Sequence, residues 1–337
     1  MAQVSREVER QESTALVDRF GRSKQKLRIS ITDRCNFRCG YCMPEDPEWL
    51  PREALLSYEE LLRLAKLFVT ELGIRRIRVT GGEPLLRKGV DRFVASLSAL
   101  REAGLERISM TSNGVLLRRY APALVAAGLD DVNVSIDAIS PARFQALTKG
   151  DLQPVLAGIE AAQAAGLPVK LNAVVIRDHN EDEILPLVRW AYRQRVPLRF
   201  IEFMPLDGNG AWSPQKVVPE AEIIERLSPH FAIEQLPRTR EPARYYRVNG
   251  DYRLGVISTV SNPFCESCDR VRLTATGEIF PCLFSPVGVD LKAPLRAGAG
   301  DAELVERIRA AVWQKGRGFA VSAGYVQRSV SMHSLGG

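Results

Sequence analysis

Six β-like runs alternate with helical ones through the first two thirds of this 337-residue chain, and no other feature narrows the possible folds as far. The runs fall near residues 27–31, 74–79, 107–111, 131–136, 168–174 and 197–202. Strands at that spacing, each followed by a helical pattern, imply a parallel sheet with right-handed crossovers. Helix boundaries support the reading. Ser57-Tyr58-Glu59-Glu60 has the form of a capping box ahead of Leu61, Leu62, Ala65, Leu67 and Phe68. Gly73, Gly104, Gly128 and Gly166 stand where a helix ends in a left-handed residue. Six units predict an open or partial barrel with its chemistry on the loops after the strand C-termini. A doubly wound sheet fits the same count.

Beyond Pro205 the pattern changes to loops and short elements, among them Pro205-Leu206-Asp207-Gly208-Asn209-Gly210 and an Arg-rich stretch at 238–253. The chain therefore divides into a polar arm (1–25), the βα units (26–204) and a C-terminal region (205–337), which is expected to fold over the mouth of the sheet. The 45% hydrophobic and 26% charged residues suit an ordinary globular core. Residues 1–12 lack the apolar run of a signal peptide, and apolar stretches elsewhere fall short of the ~20 residues that span a bilayer. A cytoplasmic protein without a membrane segment is expected. The net charge of +6 suits an anionic ligand but is too small and too dispersed to imply nucleic acid. No Gly-x-x-x-x-Gly-Lys-Ser/Thr loop is present, so nucleotide binding cannot rest on one.

The cysteines are the chemical signal. Six in 337 residues are far too few for a disulfide scaffold, yet they cluster. Cys35-Asn36-Phe37-Arg38-Cys39-Gly40-Tyr41-Cys42 is a C-x3-C-x2-C loop directly after the first strand. Three thiolates can hold three irons of a [4Fe–4S] cubane and leave the fourth open. Zinc would need a fourth ligand, and His179, His230 and His333 all lie far along the chain. The second group, Cys265-x2-Cys268-x13-Cys282, reads by itself as part of a zinc ribbon. Two sets of three with no remainder suit two clusters better. Arg28, Arg78 and Lys170 fall inside strands, where charged side chains belong only if they face a polar barrel interior. Arginine forks there suit phosphate oxygens.

Tyr41 before the last cysteine and Gly81-Gly82-Glu83-Pro84 after the second strand make the chain resemble the radical S-adenosylmethionine superfamily. The resemblance narrows with Asp33-Arg34-Cys35-Asn36-Phe37-Arg38-Cys39-Gly40-Tyr41-Cys42-Met43-Pro44 and Arg78-Val79-Thr80-Gly81-Gly82-Glu83-Pro84-Leu85-Leu86-Arg87. Together with Cys265-x2-Cys268-Asp269-Arg270-Val271-Arg272-Leu273 and the Gly336-Gly337 end, these stretches resemble the GTP 3′,8-cyclase family of molybdenum cofactor biosynthesis, over about residues 26 to 337. The resemblance implies an α/β fold: a partial (β/α)6 TIM-like barrel with a C-terminal extension carrying a second iron–sulfur cluster. It implies two [4Fe–4S] clusters, on Cys35, Cys39 and Cys42 and on Cys265, Cys268 and Cys282. The first would bind S-adenosylmethionine and cleave it to a 5′-deoxyadenosyl radical. That radical would abstract H3′ of GTP, and C3′ would add to C8 to give (8S)-3′,8-cyclo-7,8-dihydroguanosine 5′-triphosphate.

By the same resemblance Tyr41, Gly82, Ser135 and Met204 bind the cofactor, and Arg28, Arg78, Thr111, Lys170, Arg270, Val271 and Arg272 bind GTP. Arg270, Arg272, Gly336 and Gly337 are implied in catalysis, the di-glycine tail entering the active site while the second cluster meets the guanine edge. An external electron donor and the next enzyme of the pathway are the implied partners, for a monomer or homodimer. Arg76 stands where relatives often have Lys, which keeps charge but changes donor geometry. One rival is a radical enzyme with an auxiliary cluster that acts on a peptide. Such a chain would more often carry further cysteines, and none follows Cys282. Another is a zinc or iron–sulfur protein that binds nucleic acid without catalysis, with a steep dependence on salt.

Overall fold

The computed structural model describes residues 15–44, 46–206, 210–319 and 332–336. The expectations placed on residues 1–14, on Asp207, Gly208 and Asn209, and on Gly337 lie outside them. From residue 15 onward the expected polar arm is folded. It forms a hairpin of β1 (Leu16–Val17) and β2 (Ser23–Lys24), with Leu16 and Lys24 buried. The six expected strands follow as β3 (Lys26–Ser30), β4 (Arg76–Thr80), β5 (Arg107–Ser112), β6 (Asp131–Ser135), β7 (Val169–Val175) and β8 (Leu198–Glu202). They pair in chain order, all parallel. An order without reversal makes a partial barrel and removes the doubly wound alternative, whose sheet order must switch.

The C-terminal region is more regular than its sequence suggested. It continues the sheet with β9 (Ile233–Gln235), β10 (Arg244–Val248), β11 (Tyr252–Ile257), β12 (Arg270–Leu273), β13 (Glu278–Phe280) and β14 (Val289–Asp290). β11 adds in parallel to β8 at one edge, and β12 adds in parallel to β3 at the other. The parallel core is thus eight strands wide within a sheet of twelve. β10 and β11 join through Asn249, Gly250 and Asp251, the first two with positive φ, the tight-turn chemistry of a hairpin.

Helices cover the outer face. α1 (Tyr58–Thr70) follows β3, α2 (Val90–Ser98) follows β4 and α3 (Leu117–Ala126) follows β5. α4 (Pro141–Thr148) and α5 (Leu152–Ala164) follow β6, α6 (Ile184–Arg193) follows β7 and α7 (Glu220–Leu227) follows β8. The expected capping box opens α1: Ser57 Oγ accepts from Glu60 N at 3.2 Å, and Glu60 accepts from Ser57 N at 2.7 Å. Alternation along the strands sorts the two faces. Leu27, Ile77 and Ile108 stand in one rank across β3, β4 and β5 and are buried against the helices with Leu61, Leu64 and Phe68. Each such side chain contributes about 1.5–3 kcal/mol by burial. Their alternate neighbours face inward and are polar.

Candidate active site

Strand register places the inward side chains in layers. Arg270, Lys26, Arg76 and Arg107 form one rank across β12, β3, β4 and β5. Arg272, Arg28, Arg78 and Ser109 form the next. Thr111, Asn133 and Lys170 align across β5, β6 and β7. Ser135, Asn172 and Arg199 align further up, across β6, β7 and β8. These residues line a single cavity of about 590 Å³ that runs along the barrel interior. Ten Lys and Arg face it against four Asp and Glu, so it is shaped for a polyanion. Burial lowers the pKa of the Arg28 guanidinium, and Arg272, Arg78, Arg270 and Arg199 lower it further. Burial likewise brings Arg78 down to about 10, partly offset by Asp131. A bound anion would relieve that mutual repulsion.

All six cysteines line the same cavity, at opposite ends. Cys35, Cys39 and Cys42 follow the C-terminal end of β3. Cys268 precedes β12, whose first residue, Arg270, pairs with Lys26 at the start of β3. The two sets are therefore separated by the length of β3, about 13 Å at ~3.3 Å per residue. This corrects the expectation that the C-terminal region covers the mouth with its cysteines: it brings them to the base.

The donor chemistry fits two thiolate-bound groups. Amide N–H groups of Phe37 and Phe284 each donate to a sulfur, Cys35 and Cys282, at 3.4 Å. Such N–H to sulfur bonds suit anionic thiolates. Burial pushes the Cys35 thiol up to about 11 and raises Cys39 and Cys42 as well, so these thiols stay protonated until a metal displaces the proton. Cys268 differs. Burial alone would raise it, but Arg270 and Lys315 bring it down to about 6. Among the described residues no three His, Cys, Asp or Glu side chains gather as ligands of one ion.

The loop bearing the first three cysteines is clamped by the glycines after β4. Gly82 N donates to Thr32 O, and Glu83 N to Arg34 O, both at 2.8 Å. A Cβ on Gly82 would lie 2.5 Å from the carbonyl oxygens of both Asp33 and Arg34. Glu83 itself is fully buried and accepts from Asn113 N at 2.7 Å, Ser112 Oγ at 2.9 Å and Leu85 N at 3.0 Å. Burial pushes its carboxyl up to about 7. Tyr41 donates to Asp137 at 2.5 Å. Tyr41, Gly82, Ser135 and Met204 all stand at the C-terminal end of the barrel, on the cavity wall.

The chain's end returns to this mouth. In α10 (Met332–Leu335), Met332 N donates to Leu206 O at 3.1 Å and His333 N to Cys42 O at 3.4 Å. The Gly336 carbonyl then accepts from Thr80 Oγ1 at 2.8 Å and Arg28 at 3.5 Å. Val271 is the exception among the expected contacts. It stands in rank with Leu27 and is fully buried in the apolar core, so only its backbone can face a ligand.

Sequence reasoning missed Arg199, Arg107, Arg253 and Asp131, which also line the cavity. Arg199 carried the same signal as Arg28, a charge inside an apolar parallel strand, and it bonds Asn172 at 3.0 Å. Asp131 is fully buried and accepts from Arg107 at 2.6 Å and Ser109 at 3.0 Å, with Lys170 at 3.6 Å.

Comparison with known proteins places the chain in a family. Residues 29–191 match the radical SAM superfamily, and 196–321 match the family described as Molybdenum Cofactor Synthesis C. The chain is 44% identical over 333 residues to a GTP 3′,8-cyclase of Mycobacterium marinum, covering 96% of this chain and 92% of that one. It is 46% identical over 324 residues to a GTP 3′,8-cyclase of Rhodopseudomonas palustris, covering 94% of each. Among solved structures, Streptococcus suis SuiB bound to S-adenosylmethionine superposes with a TM-score of 0.59 at 14% identity. It covers 91% of this chain and 72% of that one, a likeness of fold alone.

Proposed function

This chain belongs to the GTP 3′,8-cyclase family of radical S-adenosylmethionine enzymes, and on that premise we propose how its residues divide the work on GTP. The observation that carries the reading is the shared cavity, with a cysteine triad at each end and cations in ranks between them. What two [4Fe–4S] clusters and S-adenosylmethionine supply when bound is radical chemistry: hydrogen abstraction from ribose C3′ of GTP and closure of C3′ on guanine C8.

Cys35, Cys39 and Cys42 hold the first cluster. Tyr41, Gly82, Ser135 and Met204 surround S-adenosylmethionine at the C-terminal mouth. Cys265, Cys268 and Cys282 hold the second cluster at the base. Arg28, Arg78, Thr111, Lys170, Arg270 and Arg272 hold the triphosphate and orient the nucleoside, joined by Val271 through its backbone. Arg199 and Arg107 extend the same cationic wall. Charge-assisted bonds from planar guanidinium forks fix the phosphates in position as well as binding them. Gly336 brings the tail against Arg28 and Thr80, where it narrows access of water to the reacting ribose, and Gly337 acts with it in catalysis. Residues 26–204 form the unit that generates the radical. Residues 205–337 complete the substrate end, and residues 15–25 of the N-terminal arm buttress it. An external one-electron donor and the next enzyme of molybdenum cofactor synthesis are the partners of a cytoplasmic monomer or homodimer.

The test is anaerobic incubation of reconstituted enzyme with S-adenosylmethionine, reductant and GTP. The expected products are 5′-deoxyadenosine and a cyclised GTP, from protein holding about eight irons per chain. Absence of both products from protein with a full iron complement would overturn the assignment.

A further inference from the structure

The loop of Cys265 and Cys268 is held from behind by charges that the proposed chemistry leaves unused. Lys315 follows α9 (Asp301–Trp313), the longer of two helices after β14, the other being α8 (Lys292–Arg296). It is 2% exposed. Its Nζ donates to Cys268 Sγ at 3.3 Å and to the Arg270 carbonyl at 3.1 Å. Among the described residues no carboxylate forms an ion pair with it. Lys24 of the N-terminal hairpin is as deeply buried but differs in its pairing. It has Asp18 at 2.8 Å and donates to the Cys268 carbonyl at 2.7 Å.

Asp18 also binds Arg22 at 2.7 Å. Arg22 in turn reaches three carbonyls, those of Cys265 at 2.9 Å and of Gly316 and Arg317 at 2.7 Å. Gly318 presses on the same loop, where a Cβ would fall 2.4 Å from Cys265 Sγ. Hairpin, cysteine loop and the segment after α9 are thus tied into one polar knot.

A buried ammonium is costly unless an anion compensates it. Carbonyls at the end of α9 offer partial charge only. Among the described residues the sulfur of Cys268 is the one group bonded to Lys315 that becomes anionic, as a thiolate on iron. Net charge and hydrogen bonds to the sulfurs help set the potential of such a cluster. On the reading that the second triad holds a [4Fe–4S] cluster, we propose that Lys315 is its buried counter-charge and raises its reduction potential, with Asp18, Arg22 and Lys24 holding the cysteine loop against it. Lys315 is a positioning and tuning residue that touches neither GTP nor S-adenosylmethionine. The same knot gives residues 15–25 a role.

The experiment is a redox titration, followed by electron paramagnetic resonance, of reconstituted wild type, Lys315→Met, Lys315→Gln and Lys315→Arg. Loss of the positive charge in Lys315→Met and Lys315→Gln shifts reduction of the second cluster about tenfold toward the oxidised form, 59 mV for one electron. Lys315→Arg restores it, while the first cluster titrates unchanged in every variant and serves as the internal reference. Met and Gln variants that titrate with wild type would overturn the proposal. If the Met variant loses the second cluster altogether, the remaining pair decides. Retention by Arg with loss or a shift in Gln supports a role for charge, and an unshifted cluster in Gln refutes it. Failure of the underlying reading is distinct: wild type itself would then hold only about four irons per chain.

Discussion

Gly82→Ala should separate the two halves of the site. A Cβ there lies 2.5 Å from the Asp33 and Arg34 oxygens and 2.7 Å from the Arg34 carbonyl carbon, where ordinary contact begins at 3.4 Å. All three atoms are backbone, so no rotamer change relieves the clash and the cysteine loop must retreat by nearly 1 Å. Overpacking of that kind costs about 1–3 kcal/mol. The retreat also stretches the bonds Gly82 N to Thr32 O and Glu83 N to Arg34 O, worth about 1 kcal/mol each. A loss of about 3 kcal/mol is a large part of a typical stability of 5–15 kcal/mol and lowers Tm by roughly 5 °C. Because the displaced segment leads into Cys35, the variant should retain about four irons per chain, on the second triad, and lose S-adenosylmethionine cleavage. Gly40→Ala is the matched control. Gly40 lies within the same cysteine loop, but a Cβ there meets nothing within 4 Å. Anaerobic melting and iron analysis of both variants decide the matter. A Gly82→Ala protein that melts within about 1 °C of wild type and keeps both clusters would refute the close-approach argument.

Three further outcomes are expected. Arg78→Ala removes a buried guanidinium from the cationic rank and should weaken GTP binding about ten- to hundredfold, from about 1.5–3 kcal/mol for a charged hydrogen bond. Uncoupled formation of 5′-deoxyadenosine should persist, as equilibrium binding and product analysis would show. Val271→Ala should lower Tm by a few degrees, from about 1–2 kcal/mol of lost apolar burial, and leave GTP affinity unchanged in the same binding assay. Glu83 has its carboxyl raised by burial from 4.5 to about 7. The folded state therefore keeps its proton to higher pH than the unfolded chain does. Stability contributed by that proton is full below about 4.5 and is lost as pH rises toward about 7. Glu83→Gln should flatten that limb of a denaturation-midpoint-against-pH curve.

The barrel was legible because its strands alternate at a regular period and its helices carry explicit caps. All six strands fall within two residues of their expected bounds, and the four helix-ending glycines have positive φ. Charges inside apolar strands pointed correctly to the cavity wall, since a parallel strand covered by helices on one side leaves only the barrel interior for them. What stayed hidden was long-range pairing. Nothing local to residues 270–273 or 252–257 says that one strand will join β3 and the other β8. The end of the barrel that receives the second triad follows from the register of β12 against β3, which no local pattern encodes. The side of the strand that Val271 takes has a related reason: flanked by Arg270 and Arg272, it turns its side chain to the core and leaves its backbone toward the cavity.

The placement of β12 and β11 on the two edges of the central strands bears on how the protein is made. Until β11 and β12 emerge in synthesis, the six-stranded half-barrel carries two bare edges able to pair with other chains. Contacts between residues 26–29 and 270–273 span most of the sequence, so closure is slow on topological grounds and late on vectorial ones. The cysteines at 35–42 leave the ribosome long before those at 265–282, and the second set lacks its surroundings until residues 15–25 and 315–318 come together. The triad made first is nonetheless covered last, because residues 332–336 close on Cys42, Thr80 and Arg28 only after residues 315–318 have been made.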